Sequence, residues 1–249
     1  MIKGLYEAAS GFLTEARAQE IRSNNLANVN TVGYKKDVPF FKLLVKEGAK
    51  AGETGSYDPL APSSVVMGGT ATDFSQGPLR QTGNLLDLAL QGEGFFAVRI
   101  GDSEGYTRAG NFKLGENGEL LDQNGLRVLA AQGELNVPEG ANLVINTDGE
   151  VFADGESIGS IKLVEFDDPR LLEKVGSNIW VAKTDEAVPR EAKEVELHQG
   201  FLESSNTSII DEMVSMIDGM RRYESHQKNI RAILEDTVAR TINTLPNLG

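Results

Sequence analysis

The feature that most constrains this chain is a change of period towards its C-terminus. Between residues 205 and 244, Met213, Met220, Gln227, Leu234 and Thr241 recur every seven residues. Ile209, Met216, Tyr223, Ile230, Thr237 and Thr244 do the same with an offset of three. Two such strings make the narrow apolar seam of a long helix, and a narrow seam is best covered by another helix. At 1.5 Å per residue this helix is about 50 Å long. Pro246 marks its end.

The other end of the chain supplies a partner. Residues 3–29 carry Leu5, Ala9, Phe12, Leu13, Ala16, Ile21 and Leu26 at helical spacing, with no proline. Gly4 and Gly11 weaken that helix by roughly 1 kcal/mol each relative to alanine. It stops in SNNLANVNTVGYKK, residues 23–36. Asparagine side chains compete for backbone groups there, and Asn and Gly tolerate left-handed conformations.

The middle differs from both ends. Residues 35–80 have little periodicity and include a Gly-, Ala-, Ser- and Pro-rich piece, KEGAKAGETGSYDPLAPSSVVMGG. From 85 to 200, short β-type runs (FFAVRI, LRVLA, NLVI, EVFA, SIKLVEF, NIWVA) alternate with the turn pairs Asn117-Gly118, Asn124-Gly125, Asp148-Gly149 and Asp154-Gly155. The reading is an α+β chain. Terminal helices over 1–34 and 205–249 pair as a coiled coil. An extended linker or arm occupies 35–80. A β-rich, mostly antiparallel domain, a sandwich or distorted barrel, occupies 81–204.

That pairing leaves a surplus. Leu5, Phe12, Ile209, Met213, Met216, Met220, Tyr223, Ile230 and Leu234 form the expected assembly seam, but Phe12, Ile210 and Ile217 do not all fit one seam. Each buried side chain of this kind is worth roughly 1.5–3 kcal/mol. Neighbouring copies could supply the burial, so a polymer is one natural solution.

Composition narrows the function classes. Net charge is −13, against the positive field that nucleic-acid binding uses. With no cysteine, disulfides, thiolate catalysis and cysteine zinc sites are excluded. No apolar run reaches the ~18 residues of a membrane span. Glu7, Glu15 and Arg17 interrupt what would be the apolar core of a cleaved signal.

Three patterns suggest chemistry. GESIG, 155–159, matches G-x-S-x-G, but Ser157 would need a strand before it and a helix after it, with His198 or His226 as base. Strand-like SIKLVEF follows instead. GEGFFA, 92–97, resembles a dinucleotide loop but leads into a strand-like run, not a helix. Asp167 and Asp168 are adjacent, so in a strand they would point to opposite faces. No catalytic, cofactor or metal site is expected. A Ser157 hydrolase and a monomeric coiled-coil adaptor are the readings from other classes.

SNNLANVNTVGYKK resembles the N-terminal signature of the flagellar basal-body rod and hook protein family, N-x-x-N-x-x-T-x-G-[YF]-[KR], through Asn25, Asn28, Thr31, Gly33, Tyr34 and Lys35. LDLALQGEGFFAV with YTRAGNFKLGENGELLD, and GFLESSNTSIIDEMVSMIDGMRRYESHQK, resemble the same family in the same order. The resemblance implies termini paired in the inner tube of a helical polymer, a β-domain outside it, and a channel for unfolded export substrates. It implies self and other axial (rod or hook) subunits as partners, together with the flagellar type III export apparatus and surrounding basal-body rings. The implied location is the basal-body rod, reached without a cleaved signal. Residues 23–36 would be the hinge, with Gly33 supplying backbone freedom. The single β-domain favours a rod over a hook subunit. Residues 84–90 and 137–140 lean towards the proximal rod protein, with the distal rod protein next. Residues 46–70 match no pattern of the family.

Overall fold

Both helical periods form helices: α1, Ile2–Ala27, and α2, Ile209–Thr244. The computed structural model describes residues 2–45, 63–176 and 178–244. Pro246 and most of the Gly/Ser/Pro-rich piece lie outside the described residues. Ser208 precedes α2 as its cap: its carbonyl accepts from Glu212 N and its hydroxyl accepts from Asp211 N. Asp211 and Glu212 add negative charge at the positive end of the helix dipole.

The chain divides into two compact units. The first takes its described residues from Met1–Leu26, Asp37–Ala71 and Ser208–Gly249, and so contains both helices. It also contains the strands Asp37–Val45 and Ser63–Thr72, which form a two-stranded sheet. The stretch read as an irregular arm is therefore partly strand. The β-branched and aromatic residues of DVPFF suit a pleated surface. Gly68 and Gly69 leave room for the ring of Phe40 across the pair.

The second unit, Ala27–Lys36 with Thr72–Thr207, is β-rich. Its centre is a six-stranded sheet in the order Leu172–Gly176, Ile179–Ala182, Ser103–Thr107, Phe95–Ile100, Leu163–Glu165, Arg190–Glu191, with every pairing antiparallel. Its central strand Phe95–Ile100 is buried on both faces over its first four residues, whereas the edge strands are mostly exposed. Along the central run, Phe96 and Val98 enter one apolar cluster with Leu88, Leu120, Val151 and Leu197. Phe95 and Ala97 enter another with Tyr106, Phe166 and Trp180. Burial on both faces is the reason for the unbroken apolar run FFAV. Smaller antiparallel pieces cover the first cluster: a three-stranded sheet built on Glu150–Ala153, and the pair Leu88–Gln91 with Glu196–Gln199.

The turn pairs are not all equivalent. Asp154 (φ 53°) and Gly155 (φ 88°) form a two-residue type I′ turn between Ala153 and Glu156. At Gly118, Gly125 and Gly149 the glycine instead donates its N–H to the carbonyl three residues back, closing longer turns.

Candidate assembly surface and motif segment

The face α2 turns towards α1 follows from what α1 offers. The rings of Phe12 and Tyr223 lie 4.3 Å apart. Glu15 accepts from Arg22 Nη1 at 2.8 Å and from Arg222 Nε at 3.2 Å. Asn25 Nδ2 reaches Glu212 Oε1 at 3.3 Å. A Cβ added at Gly11 would lie 2.7 Å from the His226 ring, and one at Gly219 would lie 2.5 Å from Arg22 Nη1. Residue numbers rise on one helix as they fall on the other, so the contacts run antiparallel. Burial works against the Glu15 carboxylate, but its bonds to Arg22 and Arg222 outweigh that and hold it below the usual carboxylate range.

These contacts use only half of the expected seam. Met216 and Ile230 are half-buried, and Tyr223 meets Phe12. The second string facing α1 is Glu212, Gly219 and His226, and Ile233, seven residues on, is half-buried. The string Met213, Met220, Gln227 and Leu234, one residue further on, is exposed. The contact stripe is thus rotated by one residue, because glycine notches and the Glu15–Arg222 pair accept polar side chains in place of methionines. Leu5 and Phe12 on α1 are half-buried, and Leu13 is exposed.

The rotation leaves an apolar surface on the first half of α2. Ile210 (73% exposed), Met213, Val214, Ile217 and Met220 (56%) occur within eleven residues, beside exposed Ile209. Val38, Phe40 and Phe41 are also exposed on the strand after the motif. Contiguous exposed apolar stripes of this kind are uncommon on monomeric surfaces.

The motif segment follows α1 through two hydrogen-bonded turns, Thr31 N to Asn28 O and Tyr34 N to Thr31 O. Thr31 Oγ1 also meets Asn28 Oδ1 at 3.1 Å. Asn25 is buried, and its amide exchanges two hydrogen bonds with the backbone of Asp37. Gly33 is not a free joint. It has φ 65°, and a Cβ there would lie 2.4 Å from the backbone of Arg108 and Ala109. Tyr34 is buried under the Lys174 ammonium, 4.2 Å from its ring centre. Asn178 Nδ2 donates to Val32 O at 2.9 Å.

Lys35 is the least expected member. It is 0% exposed and donates to Glu203 Oε1 at 2.6 Å and to Ser75 O at 2.7 Å. Glu203 (1% exposed) also accepts from Arg108 Nη1 at 3.3 Å. Two buried cations thus share one carboxylate. Burial pushes the Lys35 ammonium below its ordinary range against the opposing pull of Glu203, and does the same to Arg108. Arg108 lies in the family-like stretch 106–122, and Glu203 and Asn206 lie in the stretch 200–228, but nothing in either stretch marks these residues as partners of Lys35 or its neighbours.

The catalytic patterns resolve into structural roles. Ser157 lies within the strand Glu156–Ser160, after a hairpin turn instead of before a helix, and its hydroxyl donates to Glu150. His198 meets Gln91 Oε1 at 3.1 Å, while His226 lies on α2 against Gly11. Gly92 and Gly94 lead into the strand Phe95–Ile100. Asp168 caps the short 3-10 turn Pro169–Leu171 by accepting from Arg170 N, and Asp167 pairs with Arg190. Among the described residues, no group of three or more His, Asp or Glu is placed to hold a metal, and no helix is long and apolar enough to cross a membrane.

Comparison with known proteins places these segments. Residues 5–35 match the family described as flagella basal body rod protein. Residues 89–153 match the flagellar hook protein FlgE/F/G D1 domain, and residues 198–245 match the flagellar basal body rod FlgEFG protein C-terminal region. A flagellar basal-body rod protein FlgF of Caulobacter vibrioides is 34% identical, over 100% of this chain and 99% of its own length. The chain belongs to the flagellar basal-body rod protein family. A rod protein FlgG of Bacillus subtilis is 35% identical over 92% of this chain and 94% of its own. A rod protein FlgF of Mesorhizobium japonicum is 31% identical over 100% of this chain and 99% of its own. In this rod-family chain the N-terminal match covers α1 from residue 5 and the motif segment through Lys35, and the C-terminal match covers Glu203, Asn206 and α2.

Proposed function

We propose that this protein is a structural axial subunit of the flagellar basal-body rod. It polymerises through its terminal helices into a hollow tube that transmits torque and passes exported flagellar subunits. The observation that carries this reading is the exposed stripe Ile210–Met213–Val214–Ile217–Met220 on α2 in a chain of the rod family. In the polymer, α1 and α2 act as a coiled-coil pair, and the stripe is covered by neighbouring copies and other axial subunits. The export apparatus delivers the chain, and basal-body rings surround the assembled rod. Within the rod we place it at the proximal end, on the stretches at 84–90 and 137–140. The distal rod is the alternative, and relatives of both the FlgF and FlgG names lie at similar identity, 34% and 35%.

Met220→Glu separates assembly from folding. Met220 lies off the stripe that faces α1, so a charge there leaves the monomer folded and abolishes rod formation and motility. Circular dichroism of the monomer and swimming of the variant strain read the two effects. Normal motility overturns the assembly reading. Antibody-labelled electron microscopy of purified basal bodies then reads position along the axis, and absence of the chain from basal bodies returns the adaptor.

A further inference from the structure

The backbone passes between the two units after residues 26, 36, 71 and 207. Inside the β-rich unit, the segments beside three of those passages meet on two side chains. Glu203 Oε1 accepts from Lys35 Nζ and from Gly77 N, at 2.6 and 2.8 Å. The Glu203 carbonyl accepts from Gly33 N at 2.8 Å. Asn206 Oδ1 accepts from Lys36 N at 2.9 Å, and its Nδ2 donates to Asp73 O at 2.8 Å and Ser75 O at 3.1 Å. Asn206 N donates to Tyr34 O at 3.3 Å.

We propose that Glu203 and Asn206 form a latch that holds Gly33–Lys36 in the β-rich unit and closes only when the chain is complete through Asn206. Gly33 N, Lys36 N and the charge of Lys35 all find their partners at residues 203–206, and the side-chain bonds span 168 and 170 residues of sequence. Before Glu203 arrives, seating Lys35 beside Arg108 would bury two like charges without the carboxylate that pairs with both, a strongly unfavourable arrangement. A chain emerging N-terminus first therefore keeps its motif segment open until nearly the whole β-rich unit has emerged. The latch does not depend on the rod assignment, because it is intramolecular and is read on the monomer.

Hydrogen exchange on the full chain tests it, comparing wild type with Glu203→Gln, Asn206→Ala and the double variant Lys35→Met/Glu203→Gln. In Glu203→Gln and Asn206→Ala, the amides of residues 33–36 exchange at least about tenfold faster, as expected for losing a charge-assisted or buried bond. The strands Phe95–Ile100 and Ser103–Thr107 keep their protection. The double variant exchanges more slowly at 33–36 than Glu203→Gln, because it buries one unpaired cation instead of two. Unchanged protection at 33–36 in both single variants overturns the latch, as does a double variant no slower than Glu203→Gln. If Glu203→Gln loses protection throughout, Asn206→Ala decides, since it leaves every charge in place. Acceleration confined to 33–36 then supports the latch. Loss throughout the β-rich unit in Asn206→Ala as well overturns it, because the two residues would be holding the whole unit and not one segment.

Discussion

At the scale of single residues, Gly33 has almost no freedom. Its φ of 65° disfavours any side chain, and the backbone of Arg108 and Ala109 fills the place of a Cβ. Those contacts are backbone atoms, which cannot swing aside. Gly33→Ala is expected to destabilise the β-rich unit by at least about 2 kcal/mol. Denaturation followed by the fluorescence of buried Trp180 measures it. Glu15 carries a pH dependence of known sign. Its carboxyl is held below the ordinary value of 4.5, so its contribution is complete above that value and is lost as pH falls through the folded-state value. Arg222 is half exposed, so the contribution is about 1 kcal/mol or less. Glu15→Gln should weaken the helical signal at neutral pH and remove the part of its acid loss that begins below 4.5, read by circular dichroism.

At the scale of elements, local chemistry and packing separate cleanly. The hairpin at Asp154-Gly155 is local. Nothing lies within 4 Å of a Cβ at Gly155, so a substitution there meets only the backbone penalty of φ 88°. Gly155→Val is expected to cost about 1–2 kcal/mol in thermal or denaturant unfolding, with no change in the packing of the apolar clusters. The α2 stripe is not local. Its period of seven is set by sequence, but which string faces α1 is set by Gly11, Gly219 and Glu15. Two adjacent strings on one helix differ by about 100° of rotation, and Gly11 and Glu15 on α1, with the notch at Gly219 on α2, decide between them.

At the scale of the whole molecule, charge is unevenly divided. The residues of the β-rich unit carry 13 Lys and Arg against 24 Asp and Glu, a net of −11 out of −13. The unit that holds both helices carries 11 against 13, a net of −2, together with the exposed apolar stripe. Copies that associate through their helices bring their acidic β-rich units nearer to one another. Self-association of the purified chain should therefore strengthen with salt, since the screening length falls from about 10 Å at 0.1 M to about 3 Å at 1 M. Sedimentation across a salt series checks this. Association that weakens with salt would point to an ionic interface in place of the apolar stripe.

The sequence by itself determined the order of elements, the helical ends, the β-rich middle and the family. These rest on periodicity, turn residues and contiguous motifs, which are properties of neighbours along the chain. Only the tertiary structure decided that Gly33 is a point of close approach and that residues 37–45 and 63–72 pair. It alone turned Met213 and Met220 away from α1 and seated Lys35 against Glu203. Each of these is settled by groups far apart in sequence. A lysine after a tyrosine looks like a solvated charge until the carboxylate that neutralises it, 168 residues later, is brought into the same buried space.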